Sequence, residues 1–254
     1  KMTTVYDIYS FIEDIAPYRL QEDYDNSGLN VGEMSAEVRS VLVALDCTAE
    51  VAREACQRDF DLVLTHHPVI FRGLKTLVPN DPAVILAAGG KNALSMHTNF
   101  DSAEGGMNDV LCKMLGLKPE SALHEEHGVG CGYVCECDGM NVRELAQRAK
   151  DVLGCRVVRF SGGEREIRRV GVCSGSGGSF LADAAEKGCQ VLLTGDVKHD
   201  VFIDGENMGI SVIDAGHFYT ENIFCEFIAN ELKNKFSGLR VEIAVSNRDI
   251  VEVI

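Results

Sequence analysis

Residues 38–65 read VRSVLVALDCTAEVAREACQRDFDLVLT, and this stretch decides the fold. Its two ends, Val38–Leu45 and Asp61–Thr65, are short apolar runs, which predicts two buried strands. Thr48 is a candidate N-cap for a helix between them. A strand, a helix and a strand joined by short links form a βαβ unit, and such a unit predicts a parallel sheet.

The same pattern returns later in the chain. Ile167–Cys173 and Cys189–Thr194 predict strands, and Ser179–Lys187 predicts the helix that joins them. The two copies share six identical residues at one constant offset, which indicates an internal duplication. The matching pairs are Arg39 and Arg168, Val41 and Val170, Val43 and Val172, Ala55 and Ala184, Leu64 and Leu193, and Thr65 and Thr194.

The rest of the chain extends both copies. We predict an α/β fold of two similar, interlocked domains with largely parallel sheets, residues 1–125 and 126–254, with a polar boundary at Leu123–Gly132. Further predicted elements are a helix at Thr4–Ala16, strands at Ala93–Met96 and Gly209–Ile213, helices at Gly105–Leu115 and Phe218–Leu232, a strand at Gly132–Cys137, a turn-rich segment at Asp23–Gly32 and a strand pair in Leu239–Ile254.

The composition limits the classes of partner. The formal charge is −15, because 24 Lys and Arg face 39 Asp and Glu, and this disfavours nucleic acid and anionic lipid. We expect no membrane-spanning segment and no secretory signal, and therefore a cytoplasmic protein. In that compartment the ten cysteines are expected to be reduced and packed as small apolar side chains. Lys1 precedes Met2, and we expect it to be a cloning remnant.

Polar residues follow four of the predicted strands. Ligands of parallel α/β folds gather at the carboxyl ends of strands, so we expect these segments to bring most of the histidines to one edge. The segments are Thr65-His66-His67-Pro68, His97-Thr98-Asn99-Phe100-Asp101, Asp196-Val197-Lys198-His199-Asp200 and Asp214-Ala215-Gly216-His217.

Five of these side chains are candidate ligands for a pair of divalent metal ions. His66 and His67 are adjacent, so in an extended chain their rings point to opposite sides and reach two ions more easily than one. His217 and Glu221 are four residues apart at a helix start, which puts both on one face. With Asp101, the set suits zinc, manganese, iron or nickel. A water held between two such ions is a nucleophile at neutral pH.

Each feature also has an ordinary interpretation. A His-His-Pro at a strand end is often a turn with solvated rings, His217 and Glu221 could form a surface pair, and Asp101 could cap a helix. Convergence at strand ends favours the metal interpretation. The glycine-rich Ser174–Ser179, with Gly175–Gly178 at its centre, is either a phosphate-binding turn or a closely packed glycine turn.

Four motifs together resemble the NIF-three-like dinuclear-metal family, many of whose members are labelled type two GTP cyclohydrolase homologues. The resemblance spans nearly the whole chain, with the motifs in the same order. They are Asp25-Asn26-Ser27-Gly28-Leu29, Thr65-His66-His67-Pro68, His97-Thr98-Asn99-Phe100-Asp101 and Gly216-His217-Phe218-Tyr219-Thr220-Glu221.

The resemblance implies two similar α/β domains, a hexameric ring built as a trimer of dimers, and two bound metal ions. It implies His67 and Asp101 on one ion, His66 and His217 on the other, and Glu221 as the bridge. The long middle domain that some relatives carry has no room in this chain.

The leading hypothesis is a metal-dependent hydrolase of a nucleotide or related small molecule, similar to a GTP cyclohydrolase. His97, Lys198 and His199 are the candidate catalytic residues, as proton shuttles or donors to substrate oxygens, and their alternative role is to orient the ligands. A hypothesis of another class is a non-catalytic ring that regulates through, or traffics, its metal ions.

Overall fold

The computed structural model describes residues 2–254, so the interpretation of Lys1 lies outside the described residues. The chain forms two compact units, each with its own sheet. The first unit contains the residues up to Ala103 together with Phe224–Ile250, and the second contains Glu104–Ile223 together with Val251–Ile254. The first unit is therefore made from two separate stretches of chain. The predicted division after residue 125 falls instead within the second unit.

The sheet of the first unit has the strand order β1-β4-β3-β2-β11. Its strands β2, β3 and β4 are parallel, as the βαβ pattern predicted, and β11 joins β2 in parallel at one edge. At the other edge β1 runs antiparallel to β4. The strands are β1 (Gly28–Val31), β2 (Ser40–Ala44), β3 (Leu62–Thr65), β4 (Asn92–Ser95) and β11 (Arg240–Ile243).

The sheet of the second unit has the order β5-β6-β8-β9-β10-β7. Strands β8, β9 and β10 are parallel, whereas β5, β6 and β7 run antiparallel to their neighbours. The strands are β5 (Lys118–Glu126), β6 (Val129–Asn141), β7 (Arg159–Phe160), β8 (Glu166–Val172), β9 (Val191–Thr194) and β10 (Ser211–Asp214).

The two sheets have the same arrangement of central strands, which confirms the α/β fold and agrees with an internal duplication. Each contains three consecutive strands that run parallel, β2-β3-β4 in the first unit and β8-β9-β10 in the second, and β11 adds a fourth parallel strand to the first sheet. At β9 both faces of the second sheet are buried, because Val191 and Leu193 pack in one apolar cluster and Leu192 packs in another. Apolar runs without alternation, as in β9, are the expected pattern for such strands.

The helices begin where the sequence supplies a cap. Thr4 and Asp7 form a capping box at the first helix, and the Thr48 side chain accepts a hydrogen bond from the Val51 N–H at the second. The helices of the first unit are α1 (Val5–Ile15), α2 (Ala49–Gln57), α3 (Pro82–Ala88), α4 (Thr98–Asp101) and, but for its first residue, α10 (Ile223–Lys235). Those of the second are α5 (Met107–Met114), α6 (Val142–Leu153), α7 (Leu181–Glu186), α8 (His199–Met208) and α9 (His217–Glu221).

The predicted boundary segment Leu123–Gly132 is instead the tip of a long β-hairpin. Glu126 pairs with Val129, which leaves His127 and Gly128 as a two-residue turn. Both turn residues have positive φ, at 52° and 79°, as the tight hairpin turn of this type requires. The polar residues that suggested a linker lie at a turn and on an exposed strand. The strand predicted at Gly132–Cys137 is confirmed within β6.

Three other predictions need correction. Asp23–Gly32 is not all turn, since it contains β1. Phe218–Leu232 is divided between α9 and α10, and the Thr220 hydroxyl explains the break, because it bonds the Gly216 and His217 carbonyls and such bonds bend helices. Leu239–Ile254 contributes the single strand β11.

The segment after β11 is held by a side chain in place of a second strand. The Glu54 carboxylate accepts hydrogen bonds from the Val245 N–H, from the Ser246 N–H and from the Ser246 hydroxyl, at 3.0, 2.9 and 2.6 Å. Glu54 also forms an ion pair with Arg58, in which Arg58 Nη1 lies 2.6 Å from Glu54 Oε1. Burial raises the pKa of Glu54, but these hydrogen bonds outweigh burial and hold the pKa below its ordinary value.

Two properties of the described chain bear on its class. Within residues 2–254, none of the helices has both the length and the apolar composition needed to cross a lipid bilayer. The ten cysteines form no disulfide within this range, and most of them are buried. Their burial agrees with the prediction that they pack as small apolar side chains.

Replacement of Glu54 should destabilise the protein in a pH-dependent way. We expect Glu54→Gln to lower the free energy of unfolding at pH 7 by about 1–3 kcal/mol, since a charged acceptor of several hydrogen bonds is lost. A carboxyl whose pKa is lowered by folding stabilises above its unfolded pKa of about 4.3, and that contribution disappears as the pH falls. Urea unfolding at pH 7 and pH 3.5 measures the difference.

The exposed Glu37 provides the control. Glu37→Gln should leave the free energy of unfolding within about 0.5 kcal/mol of wild type at both pH values. A Glu54→Gln effect that persists unchanged at pH 3.5 would contradict the assignment, because it would not depend on the charge.

Candidate metal centre

The first unit places its polar residues at the carboxyl ends of parallel strands. His66 and His67 directly follow β3, Asp46 comes two residues after β2, and His97 comes two residues after β4. Because β2, β3 and β4 run parallel, these ends lie on one edge of the sheet. The expected convergence of the first-unit histidines is therefore observed.

Three imidazole rings meet at this edge. Ligand nitrogens of His66, His67 and His97 all lie within 4.8 Å of one another, and the ring centroids are 5.0–5.3 Å apart. The adjacent His66 and His67 do not point to opposite sides, because β3 ends at Thr65. The Thr65 hydroxyl donates to the His67 carbonyl at 2.7 Å and turns the chain there.

His66 is buried and its tautomer is set by the backbone. Its Nδ1 lies 2.8 Å from the Met96 carbonyl, which can only accept, so Nδ1 carries a hydrogen and Nε2 is the nitrogen left to face a ligand. Asp101 Oδ1 lies 3.5 Å from that Nε2. Two ligand atoms that share an ion are about 3–3.5 Å apart, so His66 and Asp101 can bind the same ion. This contact favours His66 as the partner of Asp101, whereas the resemblance implies His67.

Carboxylates orient the other two rings of the first unit. His67 Nδ1 lies 2.7 Å from Asp46 Oδ1, and His97 Nδ1 lies 2.7 Å from Asp25 Oδ1. A carboxylate on Nδ1 makes this nitrogen the donor, directs Nε2 towards a ligand and increases its basicity.

Asp25 is the most constrained of these carboxylates. Its side chain is fully buried, and its second oxygen accepts hydrogen bonds from the Thr98 N–H, from the Thr98 hydroxyl and from the Ser27 hydroxyl. Burial raises the pKa of Asp25, but the hydrogen bonds from His97 and Thr98 outweigh it, so the pKa lies well below its usual range. Asp25 is therefore ionised at neutral pH.

The second unit holds a similar pair on the short helix α9. His217 Nε2 lies 2.9 Å from Glu221 Oε2, and His217 Nδ1 lies 2.8 Å from Asp196 Oδ2. Glu221 is almost fully buried, so the alternative of a solvated surface pair does not describe it. Asp196 follows β9 with φ at 51°, a left-handed conformation that Asp tolerates better than most residues.

Two glycines make room for this pair. A Cβ on Gly175 would lie 2.2 Å from Glu221 Oε1, and a Cβ on Gly195 would lie 2.5 Å from the His217 N. The Gly175 N–H donates to the Thr220 hydroxyl, and the Gly177 N–H to the Thr194 hydroxyl. These two amides are therefore engaged within the protein, which favours the closely packed glycine turn over the phosphate-binding turn.

The three candidate catalytic residues differ in their surroundings. His97 belongs to the imidazole cluster of the first unit. Lys198 is exposed at the N-cap of α8 and lines a cleft of about 470 Å³, together with Asp196, the partner of His217. His199 is exposed as the first residue of α8.

Sequence reasoning missed the residues that orient the rings. Asp25 and Asp196 were quoted only as members of a motif and of a strand-end segment, without a role, and Asp46 was not named. An acidic residue soon after a buried parallel strand, in a chain with histidines at the neighbouring strand ends, is the signal that could have found Asp46 and assigned a role to Asp196.

The donor set fits a divalent metal ion in both units. Neutral imidazoles oriented through Nδ1, with a carboxylate beside Nε2, are ordinary ligands of zinc, iron, manganese and nickel. The further carboxylates on Nδ1 add negative charge, which favours a cation.

Removal of the Asp46 carboxylate should weaken metal binding although Asp46 is not itself a proposed ligand. We expect Asp46→Ala to reduce the affinity for Zn²⁺ by about 10- to 100-fold, because His67 loses the acceptor that orients it. Competition against a chromophoric chelator measures the affinity. Asp14→Ala, on the exposed face of α1, is the matched control and should bind Zn²⁺ as wild type does. Equal affinities of the two variants would show that Asp46 does not position His67.

Comparison with known proteins identifies the family and agrees with this fold. The chain is 37% identical over 225 residues to a protein of Clostridium perfringens named GTP cyclohydrolase 1 type 2 homolog, covering 85% of this chain and 86% of that protein. It is 34% identical to a protein of the same name from Clostridium acetobutylicum, covering 97% and 96%. The crystal structure of a Staphylococcus aureus hypothetical protein superposes with a TM-score of 0.92 at 28% identity, covering both chains completely. The family description Duf34/NIF3 (NGG1p interacting factor 3) matches residues 3–250, and the chain belongs to this family.

Proposed function

We propose that the protein is a metal-dependent hydrolase that acts on a nucleotide or a related small molecule. In this proposal two divalent ions are held by His66, His67, Asp101, His217 and Glu221. The reaction suggested by the names of the Clostridium relatives is hydrolytic opening of a purine ring, as in a GTP cyclohydrolase.

The observation that carries the proposal is a repeated ligand arrangement. In the first unit a buried His66 faces Asp101 through Nε2, and in the second His217 faces Glu221 through Nε2. In both cases Nδ1 is held by an oxygen acceptor of the protein. An arrangement that fixes the tautomer and sets a carboxylate beside the remaining nitrogen is what a metal ligand needs, and solvated surface histidines do not need it.

The protein's own residues can supply the remaining chemistry. Two divalent ions held by the five proposed ligands would supply a water of lowered pKa, which is a nucleophile at neutral pH. His97, held by the ionised Asp25, can exchange a proton at Nε2 with a substrate that reaches the cluster. Lys198, exposed at the start of α8, can stabilise negative charge on substrate oxygens. His199 is the third candidate in this role, at the next position of α8.

The first prediction concerns metal content. Elemental analysis of protein purified without chelator should give about two divalent ions per chain. His66→Ala and Glu221→Ala should each lower that number, because each removes a buried ligand. His127→Asn is the matched control, since His127 is 89% exposed in the hairpin turn and Asn tolerates its positive φ.

The control should retain the wild-type metal content. If wild type binds no ion even after divalent metals are added back, the proposal fails, and the histidines at the strand ends serve the fold alone.

The second prediction concerns turnover. Wild type loaded with metal should convert GTP, with ring opening followed by a change in the ultraviolet spectrum of the purine. Removal of the ions with chelator should abolish the reaction, and re-addition should restore it. His97→Gln should lower kcat by about 100-fold or more without loss of metal, since it removes a proton-transfer group and keeps the volume of the side chain.

The same assay distinguishes the alternative class of function. A protein that traffics metal should release its ions readily to a chelator and turn over no nucleotide. A catalytic site should retain its ions on the timescale of many turnovers. Rapid ion release without conversion of any nucleotide tested would replace the hydrolase proposal with the trafficking one.

A further inference from the structure

An exposed aromatic pair lies beside the imidazole cluster of the first unit. Tyr24 is 66% exposed and Phe71 is 41% exposed, and their rings are 6.3 Å apart at 67°, an edge-to-face pair. The Phe71 ring also lies 5.9 Å from the His97 ring, at 82°. Exposed aromatic rings leave apolar surface in water, and a ligand that covers them removes that surface from water.

The two segments that carry these rings are tied to the site. The Asn26 side-chain amide donates to the Ile70 carbonyl at 2.5 Å, next to Phe71. Asn26 in turn donates its backbone N–H to Asp25, and Asp25 holds His97. The aromatic pair is therefore positioned by the same network that orients the His97 ring.

Two cations occupy the same segment as Phe71. Arg72 and Lys75 are exposed, and within the described residues neither has a hydrogen bond or an ion pair. In a chain with 39 acidic and 24 basic residues, cations without acidic partners are available to an anionic ligand. A guanidinium is suited to phosphate because it offers parallel N–H donors.

We propose that Tyr24 and Phe71 bind the planar nitrogen heterocycle of the substrate and that Arg72 binds its phosphate groups. This inference rests on the proposed hydrolase function and names the residues that would recognise the substrate class. Stacking on an aromatic ring depends little on which base is bound, because every base has a flat π-face. The Tyr24–Phe71 pair would therefore favour any planar heterocycle. His97, in contact with Phe71, then lies next to the bound ring.

The exposed aliphatic residues of the same segment suggest a different occupant. Leu74, Leu77 and Val78 are exposed and would suit the surface of a second copy of the chain. Phe71 differs from them because it contacts His97 and Tyr24. The contact with a candidate catalytic residue favours the small-molecule ligand, and association of copies is the competing outcome of the test.

Binding measurements separate the parts of the ligand. The purified protein is titrated by calorimetry with guanosine, with GTP and with ribose 5-phosphate. Comparison of the three affinities gives the separate contributions of the ring and of the phosphate groups to binding. Phe71→Ala should weaken guanosine binding by about 5- to 100-fold, and Tyr24→Ala should weaken it within the same range. Phe71→Trp should restore the affinity, because it restores an aromatic face. Arg72→Ala should weaken GTP and ribose 5-phosphate but leave guanosine unchanged.

Two controls make the result specific. Tyr6→Ala removes a tyrosine that is 58% exposed on α1 and should bind guanosine as wild type does. Metal content is measured for every variant, and it should stay at the wild-type value. Guanosine binding that depends on Phe71 would support the inference even if the wild type contained no metal. Absence of metal from wild type would contradict the hydrolase proposal alone, so the two failures are distinguishable.

Three results would overturn the inference: no guanosine binding by wild type, equal guanosine affinity of wild type and Phe71→Ala, or loss of metal in Phe71→Ala. A fall in molar mass by light scattering for both Phe71→Ala and Leu77→Ala, with unchanged guanosine affinity, would assign the segment to contacts between copies of the chain.

Discussion

The candidate site depends on one interaction, the hydrogen bond from an imidazole Nδ1 to an oxygen of the protein. His66 bonds a backbone carbonyl, whereas His67, His97 and His217 bond carboxylates. Each bond fixes a tautomer and a ring orientation, so that Nε2 becomes the nitrogen available for chemistry. Without these acceptors, the rings would lose the contacts that fix their tautomer and orientation, and ordering them would reduce the free energy of ion binding.

These hydrogen bonds are possible because parallel strands end together. In the first unit Asp46 follows β2 and His67 follows β3, so an acceptor and a ring from adjacent strands meet at one edge. In the second unit Asp196 follows β9 and His217 follows β10 in the same relation. The parallel β2-β3-β4 and β8-β9-β10 centres thus produce the same chemical arrangement twice, from different residues at different positions.

The pattern of apolar residues correctly predicted the helices and strands whose formation depends mainly on burial. The strands β2, β3, β8 and β9 and the helices α1 and α2 lie close to their predicted positions, because apolar runs and capping residues are local signals. The errors occurred where a contact distant in sequence decides. The hairpin of β5 and β6 resembled a polar linker, and the segment after β11 is held by Glu54 in place of a strand partner.

The sequence by itself determined the duplicated α/β pattern, the family resemblance and the set of histidines and carboxylates, because residue type and spacing are enough for these. Only the tertiary structure decided which atoms face each other. It brought Asp25 to His97 across 72 residues and brought His66, just after β3, to Asp101 in α4, and it placed Phe71 against the His97 ring. No periodicity encodes such pairs, since they form only when strand ends and loops from distant parts of the chain are packed at one edge of a sheet.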